Sequence, residues 1–194
     1  WFYLKLPVNT MTEPRLTLEF PRAESAGTAL NALAHCAEAL YVRGHNAEAD
    51  AHALEGAALI DHALPHVLAD GSDLGARTEL LRGAEAAGRA LGGSGLALGH
   101  AMAQALGGRY GLPHGAMNAA EAVARFGDAL GTADPAARAE ELARLGGFER
   151  LRDFGVPEDE LASVAEAAAQ RAGAKANPRP ANAAEIEELY RSIW

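Results

Sequence analysis

The chain has 194 residues, 49% of them apolar but only 6% aromatic, with a net charge of −9 and a pI near 5.2. That length suits one domain, and the acidity excludes both the basic stripe of a nucleic-acid binder and docking on an anionic membrane surface. No apolar run reaches the length of a membrane span, and the single cysteine, Cys36, excludes an internal disulfide. These features predict a cytoplasmic protein.

Alanine supplies much of the apolar count, which favours helices throughout. Residues 1–12, WFYLKLPVNTMT, differ from the rest of the chain and read as an N-terminal extension or appended residues, with Met11 as a plausible native start. The alternation of Leu16, Leu18 and Phe20 predicts a short extended segment over 11–23. From Glu24 the pattern turns helical, and the first helix runs to about Val42. Asn46 caps a second that reaches or passes Pro65, and Ser72 caps a third that ends at glycines 92–93. A fourth spans about Leu96–Leu106, and Pro113 opens a fifth reaching Leu130. Asp134-Pro135 starts a sixth, a seventh comes after Pro157 near Val164, KANPRPAN is a loop, and residues 183–194 close the chain as a helix. The expectation is an all-α, multi-helix bundle with one domain over 13–194. Neither GGSG (92–95) nor GGRYG (107–111) follows a strand, so no dinucleotide fingerprint is present.

Chemistry concentrates in two stretches. In NALAHCAEALY (31–41), Asn31 and His35 stand at i, i+4 on one helix face, and Thr28 and Glu38 extend that polar stripe. In LGHAMAQALGGRYGLPHGAMNA (98–119), His100 and Gln104 repeat the spacing, and His114 follows Pro113. Imidazoles from three helices plus one oxygen donor suit zinc or ferrous iron. Three histidines could equally act as acid–base groups, and helix-borne histidines also serve no chemistry at all. Arg109 and Tyr110, in the loop expected between the two motif histidines, are candidates to meet a substrate carboxylate or phenolate, and Glu38 is a third candidate substrate contact. Cys36 adjoins His35, points about 100° away, and reads as a buried structural thiol. His45, His52, His62 and His66 read as surface residues.

Both stretches resemble the metal-site motifs of the iron-containing alcohol dehydrogenase family, most closely its maleylacetate reductase branch. EPRLTLEFP (13–21) resembles the segment leading into the helical domain there, so the resemblance covers residues 13–194. It implies the dehydroquinate-synthase-like helical half of that fold. It also implies metal ligands at Asn31, His35, His100 and His114, and a further cleft residue at Gln104. Three departures from the pattern matter. An asparagine stands in place of the usual aspartate ligand, as also occurs in the maleylacetate reductase branch. Gln104 replaces a histidine and cannot shuttle a proton. The family's nucleotide-binding domain has no counterpart here, so this chain alone is not expected to bind NAD(P).

Three functional readings are open. The first is an enzyme acting on a small carbonyl or carboxylate substrate in the histidine-lined cleft, by one divalent metal or by His35, His100 and His114 as acid–base groups, without hydride transfer. The second is the helical half of a split NAD(P)H-dependent reductase. The third is a non-catalytic binding or assembly module. Each leaves a face that a second copy or a partner chain would cover.

Overall fold

The computed structural model describes residues 13–110, 126–147 and 150–194, the side chain of Tyr110 excepted. All regular elements among these residues are helical, in keeping with the all-α expectation. The extended segment expected before the first helix is instead a 3₁₀ turn over Pro14–Thr17. Glu13 accepts the Arg15 N–H at 3.0 Å and Pro14 sets the first turn, while Leu16 is 81% exposed. An alternating pattern with no neighbouring strand to pair with does not hold an extended chain.

Helix α1 spans Arg22–Ala39, α2 Ala47–Ala69, α3 Leu74–Ser94 and α4 Leu98–Tyr110. Asn46 caps α2 through the Ala49 N–H at 3.0 Å, and α2 continues through Pro65. Asp73, not Ser72, caps α3 by accepting the Ala76 N–H, while the Ser72 N–H and hydroxyl donate to Asp70 Oδ1 in the preceding turn. After a helical stretch at 126–129 come α5 (Pro135–Leu145), α6 (Leu161–Ala169), α7 (Ala172–Ala176) and α8 (Ala183–Ser192). Asp134 caps α5, and a reciprocal box between Asn182 and Glu185 caps α8. The short α7 has no sequence signal; one turn between alanines and glycine is held by its surroundings.

Two apolar cores form among the described residues. The larger joins α1, α2 and α3 with Phe126, Leu130 and Leu142. The α2–α3 contact is tight: a methyl group on Gly83 would stand 2.7 Å from Ile60 Cγ1 and 3.1 Å from the Ile60 backbone nitrogen. The smaller gathers Met102 and Leu106 of α4, Leu161 and Val164 of α6, and Ile186 and Tyr190 of α8. The buried Tyr190 hydroxyl donates to the Met102 carbonyl at 2.7 Å. Helix α4 belongs to both cores, since Ala97 at its start packs in the larger one. No helix among the described residues is long and apolar enough to cross a membrane.

Candidate functional site

The polar stripe of α1 runs from solvent into the protein. Thr28 is exposed, Asn31 and His35 are half-buried, and Glu38 is 2% exposed. Three residue types that a helix face would ordinarily turn outward therefore descend toward the start of α4. There they meet His100, itself 4% exposed.

The His35 and His100 rings stack, with centroids 4.0 Å apart and planes 12° from parallel. The Asn31 amide nitrogen lies 3.1 Å from His35 Nε2, so with the amide donating, Nε2 carries a lone pair. Beneath the stack, Glu38 Oε2 lies 2.7 Å from His100 Nδ1. The same oxygen accepts the Ala97 N–H, and Oε1 accepts the His100 N–H, both at 2.8 Å. A carboxylate only accepts, so Nδ1 carries the hydrogen. His100 Nε2 and Asn31 Oδ1 are buried without a hydrogen-bond partner. Burial first, then the Glu38 charge, pushes the nearby Tyr41 phenol far above its ordinary pKa. Burial likewise raises the Cys36 thiol to about 12; it is fully buried in the larger core, about 100° around α1 from His35, as a structural thiol.

The structure thus brings Asn31, His35, Glu38 and His100 together. It sets Glu38 out of reach of any substrate, because both of its oxygens are engaged inside the protein. The expected substrate contact is a support for His100 instead. Gln104 lies one turn beyond His100 on the same side of α4 and is half-buried. Its carbonyl accepts from Arg171 at 3.1 Å. Arg109 and Tyr110 belong to the last turn of α4, not to a loop. Arg109 sits nine residues past His100, half a turn out of phase on the helix, and binds Glu160 at 2.7 Å and Ser163 at 2.8 Å. It does not join the histidine pair. His114 and the expected helix from Pro113 to residue 125 lie outside the described residues, as do residues 1–12. Among the described residues no three His, Cys, Asp or Glu side chains gather as a metal-binding group.

Sequence reasoning misses the support that Glu38 gives to His100. A signal is present, as Glu38 continues the Asn31–His35 stripe, but its partner is 62 residues away and on another helix. The surface reading of His62 holds, since its exposed ring lies 3.0 Å from Glu79.

Known proteins match this chain over nearly all of its length. The profile of the Fe-containing alcohol dehydrogenase family, C-terminal, matches residues 25–126 and 121–194. A maleylacetate reductase of Sphingobium indicum is 35% identical over 95% of this chain and 56% of its own length. A 1,3-propanediol dehydrogenase of Citrobacter freundii is 34% identical over 97% of this chain and 56% of its own. The crystal structure of maleylacetate reductase from Agrobacterium tumefaciens superposes with a TM-score of 0.82 at 31% identity, covering 94% of this chain and 55% of that one. The chain spans about half the length of the curated relatives it matches. On these matches the chain belongs to the Fe-containing alcohol dehydrogenase family and corresponds to its C-terminal helical domain.

Proposed function

We propose that this chain supplies the metal- and substrate-facing wall of a nicotinamide-dependent reductase for a small carbonyl compound. A carboxylate-bearing substrate of the maleylacetate type is the leading class. The nicotinamide would come from a nucleotide-binding region beyond this sequence, on the same polypeptide or on a partner. The observation that carries the reading is the stacked His35–His100 pair beside Asn31, in a chain collinear with such reductases.

The residues fit a divalent ion in donor chemistry. His100 offers a buried Nε2 without a partner, Asn31 an unpartnered Oδ1, and His35 an Nε2 whose lone pair the Asn31 amide would have to release to the ion. His114, carried by the second motif, would complete the set. Two or three imidazoles with an amide oxygen suit zinc or ferrous iron, and the neutral amide makes the set weaker than one with aspartate. When bound, the ion supplies Lewis-acid polarisation of a substrate carbonyl. The chain's own part is positional. Glu38 holds the His100 ring still, the ring stack aligns the two imidazoles, and the Gln104 amide orients a substrate by hydrogen bonds without moving a proton.

The test combines metal content with turnover. Chain purified without affinity tags is expected to hold about one zinc or iron per copy, and His100→Ala to lose it. Asn31→Asp is expected to tighten binding at least about tenfold, or 1.4 kcal/mol, because a charged oxygen replaces a neutral one. NADH-dependent reduction of maleylacetate is expected only when a nucleotide-binding half from a relative is joined or added. Turnover without nicotinamide, lost in His100→Ala, would instead favour a free-standing non-redox enzyme; that reading draws on the pair being assembled by this chain's own residues. No metal, and no activity in either arrangement, would leave a non-catalytic assembly module.

A further inference from the structure

We infer that Glu38 is a positioning residue. One carboxylate from α1 sets both the start of α4 and the tautomer of His100, and thereby presents His100 Nε2 as a bare lone pair beside Asn31 and His35. Its consequence for metal binding rests on the function proposed above; its geometry does not.

Helix α4 begins at Leu98, so the Ala97 and His100 N–H groups are among the donors that a helix start leaves without intrahelical acceptors. Such groups are commonly taken by a Ser, Thr, Asp or Asn at the cap. Ala97 has no such side chain, and the acceptor arrives from a different helix. Glu38 takes the Ala97 N–H on Oε2 and the His100 N–H on Oε1, each at 2.8 Å. Capping needs no more than these two bonds. The third bond is the informative one: Oε2 also lies 2.7 Å from His100 Nδ1. The same side chain therefore grips the backbone and the ring of one residue. The ring cannot turn without leaving a donor facing nothing, because Glu38 is 2% and His100 4% exposed and water has no access to replace it. In the neutral ring with its hydrogen held on Nδ1, the lone pair is on Nε2, which is the buried atom without a partner. Carboxylates that orient a ligating imidazole in this way tune both its tautomer and its basicity.

Glu38→Gln separates the two roles. A single amide oxygen cannot serve the Ala97 N–H, the His100 N–H and Nδ1–H together with the Tyr41 hydroxyl that also reaches Glu38, and an NH₂ in place of Oε2 would face the Ala97 N–H and Nδ1. The ring relieves this by moving its hydrogen to Nε2, so that Nδ1 accepts from the amide. Long-range ¹H–¹⁵N correlation of the full chain, with His100→Gln for assignment, reads the tautomer directly. Cobalt(II) titration reads the ligand. The wild type is expected to show Nδ1 protonated and Nε2 bare. Glu38→Gln is expected to show the opposite tautomer and cobalt(II) affinity reduced about 10- to 100-fold. A wild-type ring with hydrogen on Nε2, as the other tautomer or as an imidazolium, would overturn the inference, and this readout decides even if the variant does not fold. A variant that loses thermal stability but keeps the Nδ1–H ring and its cobalt(II) affinity would overturn it too, leaving Glu38 a helix cap alone. If the tautomers behave as expected but the wild type takes up no cobalt(II), Glu38 positions His100 as inferred, and it is the metal-holding reading that fails.

Discussion

At the scale of single residues, α1 carries two neighbours with opposite fates. His35 turns to the His100 ring, whereas Cys36, one residue on, enters the large core with no exposure. Burial disfavours the thiolate and raises the folded-state pKa to about 12 from an ordinary 9.0. Linkage sets the sign of the consequence. Between pH 9 and 12 the unfolded chain releases the thiol proton and the folded chain keeps it, so unfolding gains free energy as pH rises. The stabilisation is complete below pH 9 and is lost on the way to pH 12. Urea unfolding at pH 8 and pH 10 is expected to show the wild type losing about 1 kcal/mol more than Cys36→Ala over that interval. Equal losses in both proteins would mean that the thiol is not sequestered. The same burial predicts that a thiol reagent labels Cys36 only after unfolding.

At the scale of helices, the α2–α3 contact makes a sharp comparison within one element. Gly83 and Gly88 both lie inside α3, five residues apart. A Cβ on Gly83 meets Ile60 Cγ1 at 2.7 Å and backbone at 3.1 Å, whereas one on Gly88 meets nothing within 4 Å. Alanine at 83 must push two helices apart, at about 1–3 kcal/mol. Alanine at 88 gains helix propensity in open space, stabilising by about 0.4–1 kcal/mol. Opposite shifts in the urea midpoint would confirm that close approach, and not helix propensity, holds glycine at 83. The same distinction, local against tertiary, separates what is legible in the sequence from what is not. Helices are legible wherever a cap and an apolar face stand in one segment, as at Asn46, Asp134 and Asn182. Asn31 with His35, and His100 with Gln104, are legible because the helical repeat alone pairs them. The 3₁₀ turn at Pro14 is not, since apolar residues in alternation look alike in a strand and on an exposed turn. Nor is the place of Arg109, because GGRYG reads as a break, yet α4 runs through it to meet Glu160 and Ser163. The clamp of Glu38 on His100 is out of reach, because only the packing of α1 against the start of α4 creates it.

At the scale of the whole molecule, the candidate site stands where the two cores join. Helix α4 contributes Met102 and Leu106 to one core, Ala97 at its start packs in the other, and His100 lies between them. Several groups among the described residues hold that seam. Glu38 holds the start of α4, the Ala176 carbonyl at the end of α7 accepts the Arg43 N–H at 3.3 Å, and Gly173 of α7 lies against the Ala97 carbonyl. A Cβ on Gly173 would stand 2.5 Å from the Ala97 oxygen, a backbone atom that cannot swing away. Gly173→Ala must therefore displace either α7 or the start of α4. The α2–α3 contact is untouched by this change, because its close atoms belong to Ile60 and Gly83. Native-state hydrogen exchange should resolve the two regions. Amides of α4, α6 and α8 are expected to exchange faster by the equivalent of about 1–3 kcal/mol, while those in the middle of α2 and α3 keep their protection. Because Ala97 is the residue whose N–H Glu38 accepts, the variant should also disturb the His100 ring without touching either side chain. Uniform loss of protection across all helices would show instead that the two cores open together, and that the seam carries no weakness of its own.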